Sequence, residues 1–116
     1  MPTLPNKSAA YVSTRKIVEY LLSETHTAGK SKAKLFRSFN FDKTNVNQFE
    51  QGLIKIAQNE PVTETTETSY GTKYVVDGEL ETPGGSIIHL REIWIIETGE
   101  KVPRFVTAYP FEWNRS

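Results

Sequence analysis

The 116-residue sequence contains no cysteine, only two histidines and no long hydrophobic run. Without cysteine, disulfide bonds and thiolate metal sites are excluded, which fits a reducing compartment and predicts a cytoplasmic protein. His26 and His89 show none of the spacings of a zinc site, so we expect no required metal and no cofactor. No apolar segment approaches the roughly 18 residues that span a bilayer, and residues 1–5 lack the apolar core of a signal peptide.

The composition is typical of one compact globular domain. The chain is 37% hydrophobic, and its 14 basic residues balance 14 acidic ones. Residues 1–13 combine prolines with small polar residues, so we expect them to form an extended arm. Residues 14–116 are predicted to form a single α+β domain.

Apolar residues recur at helical spacing in the first half of the chain. This periodicity predicts one helix over residues 14–23 and a second over residues 30–39. A third helix is predicted to begin at residues 42–44 and to end before Pro61.

The second half of the chain has the pattern of consecutive strands. The threonine-rich segment 63–68 predicts an edge strand, residues 74–76 open a stronger one, and residues 87–96 form the most apolar and most central strand. Residues 105–111 predict a last strand, and Trp94 is assigned to the core. Turns are predicted at Tyr70-Gly71, Thr82-Pro83-Gly84-Gly85 and Gly99. Together these patterns predict an α+β fold with about three N-terminal helices packed on a four-stranded, mostly antiparallel sheet.

The zero net charge conceals an uneven distribution. Residues 1–58 carry nine basic and four acidic side chains, whereas residues 59–116 carry five basic and ten acidic ones. A basic face formed by the first half can attract a polyanion whatever the net charge of the protein. The alternative interpretation is an ordinary solvated helix face.

The start of the second predicted helix is the first candidate site. Gly29 lets the chain turn into this helix, and Lys30 and Lys32 flank its N-terminus, where unpaired amides and the helix dipole attract anions. His26, in the preceding loop, can exchange a proton near neutral pH. A surface histidine without a chemical role is the alternative.

The last predicted strand is the second candidate site. Strand alternation places Phe105, Thr107 and Tyr109 on one face and Val106 and Ala108 on the other. A hydroxyl and a phenol two residues apart can hydrogen-bond a phosphate or stack on a base, and an ordinary cross-strand pair is the alternative. The same sheet is expected to carry three further cationic residues, Lys73, Arg91 and Arg104.

Five segments of the chain resemble one small bacterial family of uncharacterised, toxin-like domains, which stand alone or at the ends of polymorphic toxins. These segments are Tyr20-Leu21-Leu22, His26-x-x-Gly29-Lys30-x-Lys32-Ala33, Gly71-Thr72-Lys73-Tyr74, Trp94-Ile95-Ile96 and Arg104-x-Val106-Thr107-Ala108-Tyr109-Pro110. More distantly, the layout resembles the barnase/EndoU/colicin-D/RelE superfamily of small ribonucleases, and the closing Thr-Ala-Tyr-Pro segment is similar to the C-terminal strand of EndoU nucleases.

The resemblance implies a metal-independent endoribonuclease with a toxin-like role. In this reaction the 2′-hydroxyl attacks the neighbouring phosphate and leaves a 2′,3′-cyclic phosphate and a 5′-hydroxyl. By analogy His26 is the base or acid, Lys32 (or Lys30 at the helix end) stabilises charge, Thr107 orients the phosphate, and Tyr109 stacks on a base or assists proton transfer. The resemblance further implies that Lys30, Lys73, Arg91 and Arg104 bind the substrate.

The sequence departs from the EndoU pattern in its histidines. EndoU enzymes use two of them, whereas His89 lies in an apolar context in the middle of a predicted strand. The second proton carrier is then Tyr109, a lysine or absent. RelE-type toxins manage without a histidine pair by using Arg, Lys and Tyr.

The implied partners are RNA, with tRNA and ribosome-associated mRNA as candidates, and a cognate antitoxin or immunity protein. No membrane partner is expected. Two other functions stay open. One is a non-catalytic RNA- or protein-binding module of a toxin–antitoxin pair, and the other is an enzyme of a different class on the same scaffold.

Overall fold

The computed structural model describes residues 2–13, 41 and 43–110 of the chain. Short 3-10 turns lie at Lys7–Ala9 and Lys43–Asn45, followed by helix α1 (Val46–Asn59) and strands β1 (Val62–Thr68), β2 (Gly71–Glu81), β3 (Ile87–Glu97) and β4 (Arg104–Pro110).

The four strands form one antiparallel sheet in the order β1-β2-β3-β4. Tight turns join consecutive strands, and in the β2–β3 turn the Gly85 amide donates to the Thr82 carbonyl oxygen at 2.9 Å. The predicted four-stranded, mostly antiparallel sheet is therefore confirmed. The predicted central position of the apolar segment 87–96 is also confirmed, because β3 has a partner strand on each side.

Helix α1 corresponds to the third predicted helix. Phe49, Leu53, Ile56 and Ala57 are buried at helical spacing, so one stripe of the helix faces the sheet. The helix ends before Pro61, since a proline disfavours the helical conformation of the residue that precedes it.

The prediction of about three N-terminal helices packed on the sheet is wrong. The part of the chain that the structure describes has one α-helix, and this helix follows the first strand-like segment, where Tyr11 pairs in parallel with Arg104. The helices predicted over residues 14–23 and 30–39 lie outside the described residues. Both predictions relied on apolar spacing in segments shorter than the roughly 12–15 residues at which a helix becomes stable by itself. Apolar spacing in such short segments therefore does not by itself determine how many helices pack on a sheet.

The N-terminal segment packs against the sheet. Leu4 and Val12 are buried in the core. The Phe105 amide donates to the Tyr11 carbonyl oxygen at 3.0 Å, and the Tyr11 amide donates to the Pro103 carbonyl oxygen at 3.2 Å. Residues 2–13 thus lie beside the start of β4 and contribute apolar side chains to the core.

The core lies between α1 and one face of the sheet, and aromatic side chains dominate it. Phe41 stacks on Phe49 with ring centroids 4.7 Å apart. Trp94 meets Phe105 edge to face at 5.5 Å. All four side chains are fully buried, which confirms the assignment of Trp94 to the core.

One carboxyl group lies inside this core. Glu92 is fully buried, and its Oε1 accepts a hydrogen bond from Trp94 Nε1 at 2.9 Å, whereas its Oε2 has no hydrogen-bond partner. Burial raises the pKa of Glu92 well above its ordinary value, and the hydrogen bond from Trp94 offsets only part of this effect. The fold therefore favours Glu92 as a neutral carboxylic acid.

Candidate functional site

Strand alternation produces a polar surface on the sheet. Successive side chains of β2 and β3 point to opposite faces, and the residues that face α1 are the more deeply buried ones. We call the opposite side of the sheet the outer face. Asp77 and Glu79 of β2 lie on the outer face, directly across from Arg91 and His89 of β3.

Arg91 is the best-anchored cation on the outer face. It lies between Asp77 of β2 and Tyr109 of β4, which are its partners in register. Arg91 Nε donates to Asp77 Oδ1 at 2.8 Å and Nη2 donates to Oδ2 at 3.0 Å, which is a bidentate pair. The hydrogen bond to Asp77 raises the pKa of Arg91 above its ordinary value, and Tyr109 acts in the same direction. The guanidinium is therefore charged and held in one orientation.

His89 and Glu79 form a second polar pair next to Arg91. His89 Nε2 lies 3.1 Å from Glu79 Oε2, and the two side chains are 27% and 57% exposed. His89 is two residues before Arg91 on β3, and Glu79 is two residues after Asp77 on β2. Residues two apart on one strand lie about 7 Å apart, so the two pairs are adjacent on the outer face. The sequence context placed His89 among apolar neighbours, but alternation turns its side chain away from them.

Thr107 lies on the outer face with Tyr109, and a bulge in β4 separates both from Phe105. Ile93 pairs with Thr107, whereas the next residue, Trp94, pairs with Phe105, so β4 has one extra residue at this point. The bulge interrupts the alternation, and Phe105 is buried on the same side as Ala108. The prediction that Phe105 shares a face with Thr107 is therefore wrong.

Lys73 and Arg104 lie near the other end of the sheet. Both pair with Ile95, from opposite sides. Arg104 Nη2 donates to Glu97 Oε1 at 3.0 Å, and Lys73 is exposed. Four residues along a strand separate this row from the row of Arg91, a distance of about 13 Å, so these two cations lie apart from it.

The described residues thus bring together Arg91, Thr107 and Tyr109 of the predicted site, and they add three residues that the sequence analysis missed. We call this group the outer-face cluster; it consists of Asp77, Glu79, His89, Arg91, Thr107 and Tyr109. The signal that would have revealed the added residues is the pattern of two acidic residues at alternate positions of β2 opposite two basic ones of β3. His26, Lys30 and Lys32 lie outside the described residues.

The outer-face cluster combines the groups that acid–base chemistry on a phosphate needs. Its guanidinium group can bind an anion, its imidazole can carry a proton, and its two hydroxyl groups can donate hydrogen bonds. Within residues 2–13, 41 and 43–110, no three His, Asp or Glu side chains are grouped to hold a metal ion. No helix in the same ranges is long and apolar enough to cross a membrane.

The architecture defines a class of small α+β domains with an antiparallel sheet, and a solved structure shares it. The fold is similar to that of a chain in a contact-dependent growth inhibition toxin–immunity protein complex from Klebsiella pneumoniae 342, with a TM-score of 0.70 and 14% sequence identity over 93% of this chain and 98% of that chain. No curated protein matches the sequence. The family described as a domain of unknown function, DUF6883, matches residues 3–112, and the chain belongs to this family.

Proposed function

We propose that this protein is a toxin-like endoribonuclease that cleaves RNA without a metal ion and is neutralised by a cognate immunity protein or antitoxin. The observation that carries the proposal is the bidentate Arg91–Asp77 pair beside the hydroxyl groups of Tyr109 and Thr107. The fold similarity to a chain of a toxin–immunity complex supports the toxin class. The substrate is RNA, with tRNA and ribosome-associated mRNA as the two candidates.

The proposed reaction is transesterification by the 2′-hydroxyl. Its oxygen loses a proton and bonds to the adjacent phosphorus, the bond to the 5′-oxygen breaks, and the 5′-oxygen takes up a proton. Arg91 stabilises the negative charge that develops on the phosphoryl oxygens. Thr107 donates a hydrogen bond to the phosphate, and Tyr109 assists proton transfer to the leaving oxygen or stacks on a nucleobase.

The N-terminal candidates keep their proposed roles in this reaction. His26 is proposed as a base or acid, and Lys30 and Lys32 as cations that contact the phosphate. Lys73 and Arg104 lie about 13 Å from Arg91, a separation suited to a phosphate further along the same strand rather than to the reacting one.

Incubation of the purified protein with total RNA and with tRNA in EDTA tests the proposal. We expect discrete fragments with 2′,3′-cyclic phosphate and 5′-hydroxyl ends. Arg91→Ala is expected to reduce the cleavage rate by about 100-fold or more, because it removes a preorganised charge from the transition state. Lys101→Ala, outside the cluster, is the control. Intact RNA with the wild-type protein, or equal cleavage by Arg91→Ala, would contradict the proposal.

A non-catalytic RNA- or protein-binding module of a toxin–antitoxin pair is the second candidate. Its protein-binding form is favoured by the ion pairs on the sheet, because paired cations contribute little net field toward a polyanion such as RNA. These pairs are Arg91–Asp77, His89–Glu79 and Arg104–Glu97. This function predicts that RNA stays intact. Binding to RNA would then weaken as salt rises, in proportion to the phosphates contacted, whereas binding to a protein partner would not follow that dependence.

A further inference from the structure

We infer that His89, held by Glu79, is a proton-transfer residue of the outer-face cluster. This inference rests on the proposed function, because the reaction needs a base for the 2′-hydroxyl and an acid for the 5′-oxygen. The place of His89 next to Arg91 on β3 puts an imidazole beside the charge that would bind the phosphate.

The contact with Glu79 determines how the imidazole works. Glu79 Oε2 lies 3.1 Å from His89 Nε2; because a carboxylate only accepts hydrogen bonds, Nε2 carries a hydrogen and donates a hydrogen bond to Glu79. In the neutral ring the lone pair then lies on Nδ1, which is the nitrogen that exchanges the proton. A carboxylate in this position also stabilises the imidazolium that forms when the ring accepts a proton, as in other carboxylate–histidine pairs.

The surroundings of His89 favour this use. Among the described residues, the charged and titratable groups near it are Asp77, Glu79 and Glu81 on β2, Arg91 on β3 and Tyr109 on β4. Asp77 is bound to Arg91 through both of its carboxylate oxygens, which leaves Glu79 as the carboxylate that pairs with the ring. The ring is 27% exposed, so a substrate on the outer face can approach it.

With His89 as the base and Tyr109 as the acid, the proton balance of the step is complete, and this assignment replaces the base or acid role proposed for His26. His89 Nδ1 takes the proton of the 2′-hydroxyl as the new bond to phosphorus forms. The bond from phosphorus to the 5′-oxygen breaks, and this oxygen takes the proton of the Tyr109 hydroxyl, whose negative charge Arg91 then stabilises. Solvent returns both side chains to their starting states, since the imidazolium loses a proton and the phenolate gains one.

Glu79 acts through His89 and is therefore a positioning residue. A cross-strand His–Glu pair also exists in proteins where it only supports strand pairing, so loss of stability does not distinguish the two roles. The distinguishing measurement is the dependence of kcat on pH, because a proton carrier shapes this profile and a structural pair does not.

The experiment compares cleavage kinetics of the wild type, His89→Ala, Glu79→Gln and the matched control Glu81→Gln, which alters the next outer-face carboxylate of β2. We expect His89→Ala to lower kcat by about 100- to 10,000-fold with little change in KM. In the plot of kcat against pH, this variant is expected to lose the decrease in kcat toward acidic pH. Glu79→Gln is expected to lower kcat less and to move the same decrease to a different pH. Glu81→Gln is expected to behave as the wild type.

Imidazole in solution supplies a readout that does not depend on strand pairing. Added imidazole is expected to restore part of the cleavage by His89→Ala, and to restore none by Arg91→Ala. Thermal midpoints of all variants establish that they are folded under the assay conditions.

The outcomes separate the inference from the proposed function. If the wild type cleaves RNA and Arg91→Ala does not, while His89→Ala keeps the wild-type rate and pH profile, the inference is overturned and the proposed function stands. If the wild type leaves all RNA intact, the proposed function fails and the inference fails with it.

Discussion

Replacement of Glu92 by glutamine is expected to make the protein increasingly more stable than the wild type as pH rises above about 4.5. In the unfolded chain the carboxyl ionises around its ordinary pKa of 4.5, whereas burial raises the pKa in the folded state well above that value. Above pH 4.5 the folded wild type therefore binds one proton that the unfolded chain has lost. The contribution of Glu92 to the free energy of unfolding is therefore most favourable below pH 4.5 and is lost as pH rises toward the folded-state pKa.

The magnitude follows from the contacts of the side chain. The glutamine oxygen replaces Oε1 and accepts the hydrogen bond from Trp94, and the amide nitrogen takes the place of Oε2, which has no partner. At pH 4 the free energies of unfolding of the wild type and the variant should therefore differ by no more than about 1 kcal/mol. The advantage of the variant then grows by about 1.4 kcal/mol per pH unit while the folded acid stays neutral. While the folded acid stays neutral, two pH units above 4.5 correspond to about 2.7 kcal/mol, or a shift of about 10 °C in thermal midpoint.

Urea and thermal denaturation, followed by circular dichroism at several pH values from 4 to 8, measure this difference. Glu64→Gln on β1 is the matched control, because Glu64 is exposed. That variant should differ from the wild type by the same small amount at every pH. A Glu92→Gln advantage that does not change with pH, or that shrinks as pH rises, would show that Glu92 is ionised in the folded protein and would refute the reasoning.

Two further predictions concern the fold. Gly71→Ala is expected to lower the free energy of unfolding by about 2–5 kcal/mol, because φ is +149° and a Cβ would lie 2.4 Å from the Ile96 carbonyl oxygen. Gly99→Ala, where φ is +88° but no atom lies within 4 Å, should lower it by only about 1–2 kcal/mol, and equal losses in urea melts would contradict the argument from the close contact. Leu4→Ala is expected to lower it by about 2–5 kcal/mol because the side chain is 1% exposed, and an unchanged midpoint would show that the N-terminal segment is not part of the cooperative core.

Local signals in the sequence were sufficient for several elements. The spacing of Phe49, Leu53 and Ile56 predicted α1, and a proline ended it. Glycine-containing turns separated the strands, and the apolar run of β3 predicted its central place. These signals succeed because each depends on preferences within a few neighbouring residues.

The candidate site was predictable only in part. The types of Arg91, Thr107 and Tyr109 suggested phosphate chemistry, and the structure brings these three residues together. The sequence did not indicate that Asp77 and Glu79 would lie opposite the cations of β3. Pairing between two strands depends on their register, and a shift of one residue would turn each of these side chains to the other face.

The sequence by itself determined the kinds of elements, their order from α1 through the four strands, and the chemical groups available for a site. Tertiary structure alone decided the bulge that separates Phe105 from Thr107, the burial of Glu92 beside Trp94, and the packing of the N-terminal segment on the core. Each of these features depends on contacts between different elements of the fold. Local preference does not specify such contacts, because their free energy arises only when the core closes and water is excluded from both sides.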